Sequence, residues 1–162
     1  MVSEDDDQNL ESRPPRTEDV VALCRALNCE GAHYIVIGGI AMVQAGFTRA
    51  TEDVDLLIES SAENQQRVRK AMLSLPDQAV KEILPTDLDE YLVVRIADEF
   101  VVDLMKLACG IRYEEAKDFI TYATMNDVTI PFANPELLWR TKQTLREKDK
   151  LDLMFLQKLL KK

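Results

Sequence analysis

At 162 residues, with 46% hydrophobic and 30% charged side chains, the chain can bury a core without disulfide or metal staples. No apolar run reaches the ~20 residues that span a bilayer, and no basic-then-apolar leader is legible. The three cysteines (Cys24, Cys29, Cys109) show neither an even count nor metal-ligand spacing. Membrane and disulfide-scaffold classes are thereby set aside, and a cytoplasmic, reducing setting is expected. Net charge is −9; residues 1 to 18, with six acids and two bases, supply −4 of it. From Arg140 onward eight Lys or Arg face three Asp or Glu, a balance suited to a small anion rather than a polynucleotide surface.

Residues 1–16 hold Glu4, Asp5, Asp6, Asp7, Pro14 and Pro15 and few apolar side chains, so a flexible acidic tail is expected there. Residues 17–162 are expected to form a single domain. Val20, Leu23, Cys24 and Leu27 recur at helical spacing after Thr17, and Gly31 supplies a stop, predicting a helix over 17–28 whose stripe faces a sheet. Tyr34 to Ile37 is a strand that ends on Gly38-Gly39 and runs into a short helix over 40–44. Asp53 to Ile58 is a second strand, followed by a polar helix from about Ala62 to Leu73 before Pro76.

Tyr91–Ile96 and Phe100–Met105 are two β-rich runs separated by the length of a hairpin loop, so they should pair antiparallel. Spacing next predicts a helix over 113–122, a short strand over 128–130, and helices over 135–145 and 148–160, with Asn134 capping and Pro135 in the first turn.

Within this frame Asp53 and Asp55 share one strand face because side chains alternate with period two. Such a pair can simply be the solvent side of an amphipathic strand. Here Leu56, Leu57 and Ile58 follow directly, and carboxylates in a buried strand call for a cation. Asp103 interrupts the apolar run Phe100 to Met105 in the same way, although an edge strand would also tolerate it. Three acids on neighbouring strands could hold metal ions and supply a base. Gly38-Gly39, at a strand-to-helix turn, is either a tight turn or a place where backbone approaches a phosphate; no Walker or dinucleotide fingerprint is present.

Taken together, Val36-Ile37-Gly38-Gly39, thirteen residues, Asp53-Val54-Asp55-Leu56 and later Val102-Asp103-Leu104 resemble the polymerase-beta-like nucleotidyltransferase superfamily. The stretch Arg49 to Asp55 and the closing run Leu137 to Leu156 resemble its compact bacterial branch, which includes abortive-infection type nucleotidyltransferase toxins. The resemblance covers about residues 20–158. It implies an α/β fold, a mixed sheet flanked by helices with further C-terminal helices.

It also implies two Mg2+ ions, with Mn2+ as an alternative, held by Asp53, Asp55 and Asp103. A nucleoside triphosphate such as ATP would have its β- and γ-phosphates on Gly38 and Gly39, and Asp103 would activate an acceptor hydroxyl on a protein, an RNA end or a small molecule. Nucleic acid enters only as acceptor. Arg49 and Lys142 are expected to touch the triphosphate, with surface ion pairs as the other reading. The competing function is a nucleotide-binding regulator or toxin-antitoxin partner that works through an interface without catalysis.

His33 reads as a hydrogen-bonded strand boundary, and Leu138, Trp139, Leu145, Leu153, Leu156 and Leu160 as packing. The three cysteines read as small buried apolar residues.

Overall fold

The computed structural model describes residues 12–161. The part of the expected acidic tail at residues 1–11 lies outside the described residues. At its described end, Ser12 Oγ donates to the Asp98 carbonyl, and the Arg13 guanidinium joins Asp19 to Glu99.

Helix α1 (Thr17–Cys29) buries Val20, Val21, Leu23, Cys24 and Leu27, the stripe expected from their spacing. Its first turn carries Glu18 and Asp19, and Asp19 accepts the Arg16 N–H at 2.7 Å. Strand β1 (Tyr34–Ile37) is buried throughout and passes directly into α2 (Gly38–Gln44). Strand β2 (Asp53–Ile58) leads to α3 (Ala62–Met72), whose first turn is capped by Ser61 Oγ accepting from the Asn64 N–H. After a short α4 (Asp87–Glu90), β3 (Val93–Ala97) and β4 (Val101–Met105) form the expected antiparallel hairpin.

Buried Asp98 fastens the hairpin turn, its carboxylate accepting backbone N–H groups of Asp77, Ala79 and Glu99. The rest of the described chain is α5 (Tyr113–Ala116), β5 (Ile120–Met125), β6 (Val128–Ala133), α6 (Pro135–Thr141) and α7 (Glu147–Leu160).

The six strands make one mixed sheet in the order β3-β4-β2-β1-β6-β5. β2 lies antiparallel to β1 and parallel to β4, while β1 and β6 are parallel. Helix α2 packs on β1, β2 and α6, and α6 packs on α7; α1 packs on α3 and β6. The core runs through β1, β2 and β4, where Ile35, Val36, Leu56, Leu57 and Val102 are fully buried. This is the expected mixed sheet with flanking and C-terminal helices.

Several local expectations are corrected. The helix predicted over 113–122 is a single turn, α5, followed by strand β5. Ile120, Thr121, Tyr122 and Thr124 favour extended backbone, and Asn126 and Asp127, both at positive φ (49° and 65°), form the two-residue hairpin turn that closes β5 onto β6. β6 continues past Ile130 through Pro131 to Ala133; its recorded pairing with β1 is Val36 against Phe132, next to the proline that has no N–H to donate.

The apolar stripe expected along the last helix is met only in part: Leu156 is buried and Leu153 half-buried, whereas Leu160 and, before α7, Leu145 are exposed. Helix α7 also turns Asp149 and Asp152 inward, because the two acids meet cations there. Cys24 is buried, but Cys29 and Cys109 are exposed.

Candidate active site

Side chains alternate along β2, so Val54, Leu56 and Ile58 enter the core while Asp53 and Asp55 project from the other face. The parallel register sets Asp55 directly beside Asp103 of β4, and the antiparallel register sets Ile37 beside Asp55. Consequently the three sequence-predicted acids come together: one oxygen from each of Asp53, Asp55 and Asp103 lies within 4.8 Å of the other two.

Gly38 follows Ile37 at the head of α2 and has φ +69°, in the left-handed region that disfavours other residues. A Cβ on it would stand 2.0 Å from Asp55 Oδ2, so the bare backbone is what leaves room for that carboxylate. A Cβ on Gly39 would meet Thr51 Cγ2 at 2.7 Å. Gly38 therefore adjoins the acids, and Gly39 lies beside Thr51 and Arg49 in the same cleft.

Arg95, which sequence reasoning passed over, lies opposite Asp103 on β3. Its Nε and Nη2 donate to Asp103 Oδ1 and Oδ2, each at 3.0 Å, and Nη2 also donates to Asp53 Oδ2 at 3.1 Å. Even so, the cluster remains short of positive charge. Burial, then repulsion from Asp53 and Asp103, pushes the Asp55 carboxyl up to about 7. Burial and the neighbouring Asp103 raise Asp53 as well. Hard oxygen donors converging from two strands, with a cationic side chain already drawn onto them, are a donor set that could hold a divalent cation.

Arg49 and Lys142 also reach this cleft, yet both are engaged from behind. Arg49 Nη1 donates to Asp152 Oδ2 at 2.7 Å, and Lys142 Nζ lies 2.8 Å from the same oxygen and 3.4 Å from Asp149 Oδ1. Asp149 and Asp152 are fully buried. Burial alone would raise the Asp149 carboxyl, but hydrogen bonds from Thr144 and Arg146 and the charge of Lys142 outweigh it and hold the group below its usual value. Asp152 Oδ1 has no hydrogen-bond partner among the described residues. Arg49 and Lys142 are thus partners in a buried ion network rather than surface pairs, and Lys142 is only 5% exposed.

The cleft measures about 560 Å³. Its lining includes Gly38, Gly39, the three acids and the cations Arg49, Arg95, Lys142, Arg146 and Lys148. Arg146 and Lys148 belong to the closing run that carries the family resemblance, but no local signal assigned them a role at the cleft. A signal for Arg95 did exist: it is a charge at an alternate position of a strand paired with the Asp103 strand, but its meaning depended on register.

No family model matches the sequence, and no curated protein sequence matches it. The fold does have relatives among solved structures. A candidate nucleotidyltransferase from Thermotoga maritima superposes with a TM-score of 0.58 at 13% identity, covering 89% of this chain and 91% of that one. The lincosamide antibiotic adenylyltransferase LnuA, solved with lincomycin bound, superposes with a TM-score of 0.53 at 15% identity, covering 90% of this chain and 98% of LnuA. At these identities the likeness is one of fold, and the chain has the nucleotidyltransferase fold over nearly its whole length.

Proposed function

We propose that the chain is a metal-dependent nucleotidyltransferase that moves a nucleoside monophosphate from a nucleoside triphosphate to a hydroxyl acceptor. One observation carries this reading: Asp53, Asp55 and Asp103 bring carboxylate oxygens within 4.8 Å of one another beside a bare Gly38-Gly39 turn, in a cleft that also carries Arg49, Lys142, Arg146 and Lys148. A purely structural acid cluster does not require the further cations Arg49, Lys142, Arg146 and Lys148 that line the same cleft.

On this reading Asp53 and Asp55 hold two Mg2+ ions, Mn2+ serving as a substitute, and Asp103 joins them in holding one. Bound there, the ions supply charge neutralisation for the triphosphate and for the reacting oxygens. Gly38 and Gly39, at the head of α2, turn backbone N–H groups toward the β- and γ-phosphates on this reading. Arg49 and Lys142, fixed by Asp152, present positive charge toward the departing pyrophosphate, with Lys148 and Arg146 adding to that field.

Asp103 takes the acceptor's hydroxyl proton onto a carboxylate oxygen. The acceptor oxygen forms a bond to the α-phosphorus, the bond from that phosphorus to the bridging oxygen breaks, and pyrophosphate leaves with the electron pair.

The test is incubation of the protein with Mg2+, each of four α-phosphate-labelled triphosphates in turn, and a lysate of the source cells, with Asp103→Asn alongside. Label passed to protein, RNA or a small molecule by the wild type alone supports the reading and identifies the acceptor class. Equal labelling by both proteins sinks the assigned role of Asp103.

A further inference from the structure

We infer that Arg95 is the resident counter-ion of the carboxylate cluster, occupying the oxygens that divalent cations take and giving them up by exchange when those cations bind. The inference rests on the proposed reading of the cluster as a metal site. Arg95 engages both oxygens of Asp103 and Oδ2 of Asp53, which is most of the donor set available to an ion bridging these two residues. An oxygen whose lone pairs accept a guanidinium N–H at 3.0 Å cannot also bind a metal ion at full strength, and the two cations repel at that range. Asp55, by contrast, receives no hydrogen bond from Arg95 and faces the bare Gly38 backbone, so it is the carboxylate at which an incoming ion can begin.

The fold lets Arg95 leave without disturbing the core. β3 is an edge strand, and on the cleft-facing side Arg95 stands between Val93 and Ala97, both exposed. Its own side chain is 62% exposed, so its stem is not packed in place, and an ion pair this accessible to water is individually weak. Charge balance points the same way: a single guanidinium faces three carboxylates, whereas divalent ions supply more charge in the same space. Arg95 therefore suits a role as placeholder, keeping the metal-free cleft partly neutralised and folded while setting a threshold that metal binding must exceed.

The test uses the full chain without nucleotide and Mn2+ as probe, its binding followed by electron paramagnetic resonance. Arg95→Gln is expected to bind Mn2+ on the order of tenfold more tightly than wild type, because nothing must be displaced. It should also melt at lower temperature in EDTA and converge on wild type in saturating Mn2+. A folded Arg95→Gln protein that binds Mn2+ no more tightly overturns the exchange while leaving the metal site intact. Absence of Mn2+ binding to either protein overturns both readings.

A measurement on wild type keeps the inference falsifiable whatever the variant's fold. The Arg95 Nε–Hε resonance, assigned with Arg95→Lys, should be protected from water exchange in EDTA and lose that protection in saturating Mg2+. An unchanged resonance in Mg2+ overturns the exchange.

Discussion

The Cα of Gly38 stands against the carboxylate of Asp55 so closely that a single added methyl group would lie 2.0 Å from Oδ2, at a backbone φ of +69°. Gly38→Ala must therefore both strain the turn and push Asp55 away from Asp53 and Asp103. We expect it to cost about 3 kcal/mol of stability and to weaken Mg2+ binding. Gly39→Ala, whose Cβ would meet Thr51 Cγ2 at 2.7 Å at an ordinary backbone φ, should cost less than half as much. Thermal unfolding and Mg2+ titration of the two variants side by side check the order.

Asp55→Asn removes a buried charge from between two like charges while preserving volume. In EDTA the variant should be more stable than wild type by about 1–2 kcal/mol, although nucleotide transfer should fall by on the order of a thousandfold. Calorimetry and label transfer together test this; a variant that is both less stable and fully active would contradict the assignment of Asp55 to the charge cluster and to the reaction.

Stability in EDTA should depend on pH in an uncommon direction. Asp55 is raised to about 7, and Asp53 is raised too, so between about pH 4 and pH 7 the folded state binds more protons at this cluster than the unfolded chain does. Their contribution is fully present below the unfolded value near 4 and is lost as pH rises through about 7. Wild type should be about 2 kcal/mol less stable at pH 8 than at pH 5, roughly 4–8 °C in Tm. Asp19 and Asp149, both lowered, act in the other window: their contribution is lost only as pH falls below about 4. Saturating Mg2+ should remove the decline above pH 5, and Asp55→Asn should flatten it.

Asp152→Ala should be the most damaging change in α7, because it leaves Arg49 and buried Lys142 without the oxygen they share. A loss of about 3–5 kcal/mol is expected, measurable by urea unfolding. Leu151→Ala, on the exposed side of the same helix, should cost less than 1 kcal/mol.

Much of this site was legible in the sequence because its grammar is local. The two-residue spacing of Asp53 and Asp55 fixes a shared face, the run around Asp103 marks a strand, and the Gly-Gly pair between an apolar strand and a helix marks the turn. What was not legible is what register and burial decide. Arg95 meets Asp103 only through cross-strand pairing, and Arg49 meets Asp152 across 103 positions of sequence. Asp149 and Asp152 belong to the closing run of the resemblance, but nothing local shows that their cationic partners turn them inward. β5 was missed for a different reason: Tyr113 to Tyr122 carries helix-compatible spacing, and the Asn126-Asp127 turn outweighs it.

The oxygen that Asp152 offers to Arg49 and Lys142 also makes the last helix and the cleft parts of one cooperative unit. Undocking α7 would withdraw two acids from two cations at once, so the helix cannot fray inward without unmaking the part of the cleft that Arg49 and Lys142 line. Amide protons around Asp152 and around Arg49 to Thr51 should then exchange with solvent in the same opening event, with matched free energies and a shared response to denaturant. A protease that waits for such openings would report on the cleft by cutting the helix.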